Sequence, residues 1–193
     1  MTRREGHDQW RRKPLYFAVR EAVNSFIESS VERNWQFSKQ GRDTVELVRT
    51  LCLRFDLFAR QIQKRQRKRS SIIFTDEYDV QDAMHALLRL HFDDVRAEEW
   101  TPSYAGNASR VDFLLKREQI VIEAKMTRKG LDQREVANQL IIDKERYSAH
   151  SDCKTLVCFV YDPEHRCNNP DALVDDVSTA GPPICVVVVV APR

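Results

Sequence analysis

The chain ends in ICVVVVV (184–190), seven apolar residues in a row, six of them β-branched. β-Branched side chains favour extended backbone, and a strand that is apolar on both faces needs cover on both faces. That requirement points to a sheet with helices on each side, an α/β fold. KTLVCFVYD (154–162) is a second run of the same kind. The covering helices can be read upstream of each run. Asp76 can cap a helix in which Val80, Met84, Leu87, Leu88 and His91 share a face, ending near Phe92. A second helix covers about 131–148, where Val136, Leu140, Ile141 and Tyr147 can pack, and PDALVDDV (170–177) reads as a short third. VRAEEWTP (95–102) reads as a strand, and VDFLLKREQIVIEAK (111–125) as a hairpin of two more. From Thr75 onward the order is α-β-β-β-α-β-(α)-β, with a mixed sheet.

Residues 1–70 have a different pattern. After the basic tail MTRREGHDQWRRKP, Leu15, Val19, Val23, Phe26, Ile27 and Val31 recur at helical spacing, so 14–38 read as an amphipathic helix that Gly41 ends. Asp43 or Thr44 can cap a second helix, with Leu47, Leu51, Phe55, Phe58 and Ile62 as its stripe, running into KRQRKR at 64–69. The pair forms a helical hairpin suited to packing or to homodimerisation. The chain therefore divides into 1–70, the tail and hairpin, and 71–193, the α/β domain.

Charge follows the same division. The net charge of +2 is the balance of a basic part, with 17 Lys/Arg against 8 Asp/Glu in residues 1–70, and an acidic remainder with 14 against 21. A basic segment attracts phosphate backbones, whereas an acidic part that meets nucleic acid needs a cation to screen it. Lys64, Arg65, Arg67, Lys68 and Arg69 are the first candidates for phosphate contacts. No apolar run approaches the roughly 18 residues of a membrane span, and the charged N-terminus is unlike a signal peptide. The five cysteines are odd in number and irregular in spacing, which suits free buried thiols in a cytoplasmic protein without a membrane anchor.

The hairpin carries the chemistry. With Arg117 and Glu118 as a two-residue loop, Lys116 faces Gln119, Leu114 faces Val121, and Asp112 faces Glu123. Opposed residues have Cβ atoms about 4.5–5.5 Å apart, where like charges destabilise the pair unless something offsets them. Period-two alternation puts Lys125 on the face of Glu123, with Phe113, Leu115, Ile120, Ile122 and Ala124 on the other. Two apposed carboxylates ask for a cation, and magnesium (or manganese) suits carboxylate oxygens, water and substrate phosphate. A lysine beside it can orient an attacking water and stabilise charge developing on phosphate oxygens. The plainer alternative is a surface ion pair on an exposed sheet face.

An acid on one strand, then Glu-x-Lys on the next, within an α-β-β-β-α-β order, resembles the PD-(D/E)xK nuclease superfamily with its restriction-endonuclease-like fold. The elements here are V-D at 111–112 and E-A-K at 123–125. More specifically, the run from DEYDVQDAMHALLRLHF through IVIEAK to QLIIDKERYSAHSDCKTLVCFVYDPE is similar to the nuclease domain of the DpnII and MboI restriction enzymes, over about 76–190. The resemblance implies metal-dependent hydrolysis of DNA phosphodiesters, with Asp112 and Glu123 as metal ligands and Lys125 as the catalytic lysine. It also implies a setting in bacterial or phage defence. Valine stands before Asp112 where the motif name has proline. Relatives commonly add an acid or polar residue from the first helix, where Glu77 and Gln81 share an edge, making Glu77 a further ligand candidate. Gln139, Asp143 and Tyr147 form a stripe on the helix after the lysine strand, similar to a glutamine-then-tyrosine element of some relatives, with Gln139 as the candidate catalytic residue. Arg128 and Lys129, in the turn after Lys125, are candidate phosphate contacts.

Three rival readings remain at this level. A non-catalytic nucleic-acid-binding or adaptor protein could keep the fold, although it would be free to lose the Asp112, Glu123 and Lys125 set. A nuclease directed at RNA or at junctions would keep that set. His150, Cys153, His165 and Cys167 have the residue types of a zinc site, but a strand rising about 3.3 Å per residue separates the two pairs.

Overall fold

The computed structural model describes residues 43–64, 72–100 and 110–193. Thr44–Arg193 form one compact unit. Its elements are α1 (43–63), α2 (Glu77–Arg89), β1 (Val95–Ala97), β2 (Phe113–Leu115), β3 (Ile120–Met126), α3 (Gln133–Ser148), β4 (Thr155–Tyr161), α4 (Pro170–Val177) and β5 (Cys185–Ala191). The helix expected over 14–38 and the basic residues 65–69 lie outside the described residues.

The strands form one sheet in the order β1-β2-β3-β4-β5. β1–β2 and β2–β3 are antiparallel, whereas β3–β4 and β4–β5 are parallel. The expected mixed α/β sheet is the one observed. α1 and α2 cover one face over Phe113, Ile122, Phe159 and Val189, and α3 and α4 cover the other over Leu114, Val121, Cys158 and Val188. Along the valine run, Val186, Val188 and Val190 enter one layer while Val189 enters the other. Cover on both faces is the condition that this run imposes.

Residues 43–63, from the first of the two sequence regions, pack on the sheet. Phe55 is the anchor: its ring lies edge-on to those of Phe74, Phe159 and Tyr161 at 5.5, 5.3 and 5.1 Å. Burying such a side chain contributes about 1.5–3 kcal/mol, and the aromatic geometry adds to it. The buried stripe of α1 is centred on Val48, Cys52, Phe55 and Ala59, with Leu51, Phe58 and Ile62 at its margins and Leu47 outside it. In α2, Asp76 caps the helix in a reciprocal capping box with Asp79, and Val80, Met84 and Leu88 are buried while His91 is exposed. In α3, Val136, Leu140 and Tyr147 are buried as expected, but Ile141 is 48% exposed. Residue 141 lies about 100° around the helix from Leu140, off the packed face.

Two strand expectations change in detail. β1 stops at Ala97 because Glu98 has φ 53°, outside the extended region; beyond it the pairing continues through backbone hydrogen bonds from Glu98 N to Asp112 O and from Val111 N to Glu99 O and a bridge between Trp100 and Arg110. The hairpin register is the expected one, with Leu114 opposite Val121. Its turn differs. Arg-Glu does not supply the positive φ that a two-residue turn needs, and the left-handed residue falls instead at Gln119, φ 57°. Its carbonyl is tied to Lys154 N and Thr155 N at the start of β4. The five cysteines are free, and all but Cys185 are buried. No helix among the described residues is long and apolar enough to cross a membrane.

Candidate active site

Glu123 and Lys125 sit on β3, two residues apart and therefore on one face. Lys125 Nζ donates to Glu123 Oε1 at 2.6 Å. Both residues are buried, 5% and 9% exposed, so the pair is not the surface ion pair of an open sheet face. Asp112 lies just ahead of β2, where the register brings it opposite Glu123. Its Oδ2 accepts the Ala124 N–H at 2.7 Å, which pins one carboxylate oxygen to β3.

Helices supply the remaining acids. Glu77, the first residue of α2, brings Oε1 to 3.7 Å from Lys125 Nζ. Asp143, in the middle of α3, brings Oδ2 to 3.8 Å from the same nitrogen, while its Oδ1 accepts from Arg146 Nη1 at 3.1 Å. One turn further along α3, the Tyr147 hydroxyl donates to Glu123 Oε2 at 2.7 Å. The Arg110 carbonyl lies 3.4 Å from the same hydroxyl, but the single phenolic proton belongs to the nearer, charged acceptor.

The electrostatics of this cluster are those of a site short of positive charge. Four carboxylates, Glu77, Asp112, Glu123 and Asp143, meet the cations Lys125 and Arg146, with Arg128 acting on Glu77 from the turn after β3. Burial, reinforced by the charge of Glu123, holds the carboxyls of Asp112 and Asp143 well above the usual carboxylate range. Burial also raises Glu77, against the pull of Lys125. For Lys125, burial acts to lower the pKa, yet Glu123, Asp143 and Glu77 outweigh it and hold the ammonium firmly protonated. Burial, then the charges of Glu123 and Asp143, push the Tyr147 phenol far up, so the hydroxyl keeps the proton that it donates to Glu123.

Such a donor set fits a hard divalent cation, which takes carboxylate oxygens and water and offsets crowded negative charge. Among the described residues, no three His, Cys, Asp or Glu side chains stand close enough together to hold a metal ion as they are. Lys125 stands among the acids instead, and Asp143 Oδ2 is buried without any hydrogen-bond partner. The zinc reading gains nothing here either: Cys153 and Cys167 flank β4 at its two ends, and His150 Nδ1 accepts from Asp152 N.

The structure thus brings together Asp112, Glu123, Lys125 and Glu77. Gln139 is half-buried one turn before Asp143 and makes no hydrogen bond to the cluster; the residues of that stripe that reach it are Asp143 and Tyr147. Helical spacing aligned all three, and the family resemblance singled out Gln139. Arg128 and Lys129 are exposed in the tight turn closed by Arg128 and Leu131, with Gly130 at φ 87°. Lys64 is exposed at the end of α1, and Arg65, Arg67, Lys68 and Arg69 lie outside the described residues.

A mixed sheet with helices on both faces, an acid ahead of one strand and Glu-Ala-Lys on the next define a PD-(D/E)xK nuclease. Residues 46–193 match the family described as DpnII-MboI, REase_DpnII-MboI, and the chain belongs to this family of restriction endonucleases. It is a DNA-cleaving nuclease domain of restriction defence. No curated protein and no solved structure matches the chain.

Proposed function

We propose that the protein is a magnesium-dependent endodeoxyribonuclease, active in the cytoplasm, in which Asp112, Glu123 and Glu77 hold the metal and Lys125 is the catalytic lysine. The observation that carries this reading is the buried Glu123–Lys125 pair, bonded at 2.6 Å inside a ring of excess carboxylates. A divalent cation bound there would supply Lewis-acid charge at the scissile phosphate and lower the pKa of a bound water. Lys125 places a fixed positive charge where phosphate oxygens gain negative charge, an interaction that strengthens in the transition state. Asp112 gives one oxygen to the Ala124 N–H, which orients the other for a ligand. Tyr147 fixes the rotamer of Glu123 through Oε2.

Phosphate contacts outside the reacting centre fall to Arg128 and Lys129 in the turn after β3, and to the basic run Lys64, Arg65, Arg67, Lys68 and Arg69. A homodimer formed through the N-terminal helices would give a duplex one active site per strand. Incubating the purified protein with plasmid, linear duplex, single strands and RNA, each with and without magnesium or manganese, tests the reading. Metal-dependent cutting of duplex DNA is the expected result. Cutting of RNA alone, or cutting unaffected by EDTA, would overturn it.

A further inference from the structure

Glu123 has both oxygens engaged, Oε2 by Tyr147 and Oε1 by Lys125. A cation on Glu123 and the Lys125 ammonium therefore compete for Oε1, and two positive charges cannot share that oxygen without a cost. Two other carboxylates lie near Lys125 Nζ, Glu77 Oε1 at 3.7 Å and Asp143 Oδ2 at 3.8 Å. They are not equivalent. Glu77 is half-buried and is itself a proposed ligand. Asp143 is 6% exposed, its Oδ1 is held by Arg146, and its Oδ2 has no hydrogen-bond partner. A buried carboxylate oxygen with no donor is costly to maintain, and such groups repay a search for the state of the protein that satisfies them.

We infer that Asp143 is a positioning residue for Lys125, the acceptor to which the lysine transfers when Glu123 turns to the metal. Resting on the metal-site reading above, the inference adds a second, pre-set position for the lysine. In the metal-free protein Lys125 neutralises Glu123 and keeps the acids from repelling one another. In the loaded protein Lys125 leaves Oε1, gives a hydrogen bond to Asp143 Oδ2, and stays anchored beside the reacting centre. Arg146 keeps the Asp143 carboxylate turned toward the lysine. The exchange moves one side chain between two acceptors.

Titration calorimetry with Mn²⁺ in the absence of DNA tests the exchange in wild type, Asp143→Asn, Lys125→Met and the double variant. Losing a residue that orients such a site typically costs about 10–100-fold in metal affinity. The exchange predicts a loss of that size for Asp143→Asn when Lys125 is present, and a clearly smaller one in the Lys125→Met background. Equal losses in both backgrounds would mean that Asp143 acts on the ion directly or by its charge alone, and would overturn the inference while leaving the metal site intact. A wild type that binds no Mn²⁺ would overturn the metal-site reading and the inference with it. Should Asp143→Asn fail to fold, a crystal structure of wild type with Ca²⁺ decides. Lys125 Nζ within hydrogen-bonding distance of Asp143 Oδ2 and released from Glu123 supports the exchange. A lysine still on Glu123 or moved to Glu77, or an ion on Asp143, overturns it.

Discussion

Tyr147 and Glu123, 24 residues apart on α3 and β3, are joined by a 2.7 Å hydrogen bond from the phenol to Oε2. The bond ties the helix behind the sheet to the carboxylate at the centre of the site, and both partners are buried. Tyr147→Phe keeps the ring in its packed position and removes only the hydroxyl. A hydrogen bond to a charged group contributes about 1.5–3 kcal/mol, so the variant should melt lower. Glu123 would then lose the partner that fixes Oε2, and single-turnover cleavage of plasmid should fall by about 10–100-fold. Wild-type cleavage rates in a folded Tyr147→Phe protein would show that the phenol only packs.

Glu123→Gln and Lys125→Ala should each reduce cleavage by about 10²-fold or more, the loss expected when one preorganised group is removed from a transition state. Binding of duplex DNA, measured by gel shift in Ca²⁺, should persist in both. Near-wild-type cutting by either variant at saturating magnesium would remove that residue from the chemistry.

How much of this was legible in the sequence differs from element to element. The hairpin register was, because pairing Leu114 with Val121 keeps Asp112, Glu123 and Lys125 on one face, and a slip of one residue would turn Glu123 and Lys125 into the apolar layer that holds Phe113 and Ile122. The two-sided cover of β5 was too, since unbroken valine has no polar face to give to water. Helix phase was harder to read. α1 carries apolar residues around much of its circumference, and only packing against Phe159 and Tyr161 selects Val48, Cys52 and Ala59 over Leu47. The same limit applies to α3: i, i+4 spacing aligns Gln139, Asp143 and Tyr147, but how far along the helix the site reaches depends on where α3 crosses β3. The role of Asp143 had no sequence signal beyond that stripe. The positive φ of Glu98 had none at all, because glutamate is an unusual residue for that conformation.

Asp162, which is not one of the four clustered carboxylates, provides a test by pH. It is buried and accepts from Thr127 Oγ1 at 2.6 Å, Arg166 N at 2.8 Å and Cys167 N at 2.9 Å, joining the end of β3 to the loop after β4. Burial acts to raise its pKa, but these hydrogen bonds outweigh burial and the carboxyl lies below its ordinary value. A carboxyl depressed in the folded state stabilises fully above its unfolded pKa, about 3.9, and loses that contribution as pH falls through the folded value. The melting-temperature gap between wild type and Asp162→Asn should therefore be widest near neutrality and close in acid below about pH 4. A gap that is constant with pH would mean that the charge of Asp162 contributes nothing.

Replacing Lys64, Arg65, Arg67, Lys68 and Arg69 with glutamine should weaken DNA binding for every sequence alike. The slope of log affinity against log salt should flatten by up to about 0.9 for each duplex phosphate that the run no longer neutralises. An unchanged slope would assign the run to a protein partner or to the stability of α1.

Asp112 separates function from stability. The register sets it opposite Glu123, and like charges across a strand pair cost on the order of 0.2–1 kcal/mol. Asparagine can still accept the Ala124 N–H through its amide oxygen, so the bond that Asp112 makes at 2.7 Å has a replacement. In EDTA, Asp112→Asn should melt at or above wild type, although it no longer cuts DNA. Millimolar magnesium should stabilise wild type by mass action, about 2.7 kcal/mol at one hundred times the dissociation constant, and the variant much less. An Asp112 carboxylate that served only to hold the hairpin together would give the reverse pattern, with a variant less stable in EDTA and an equal response of both proteins to magnesium.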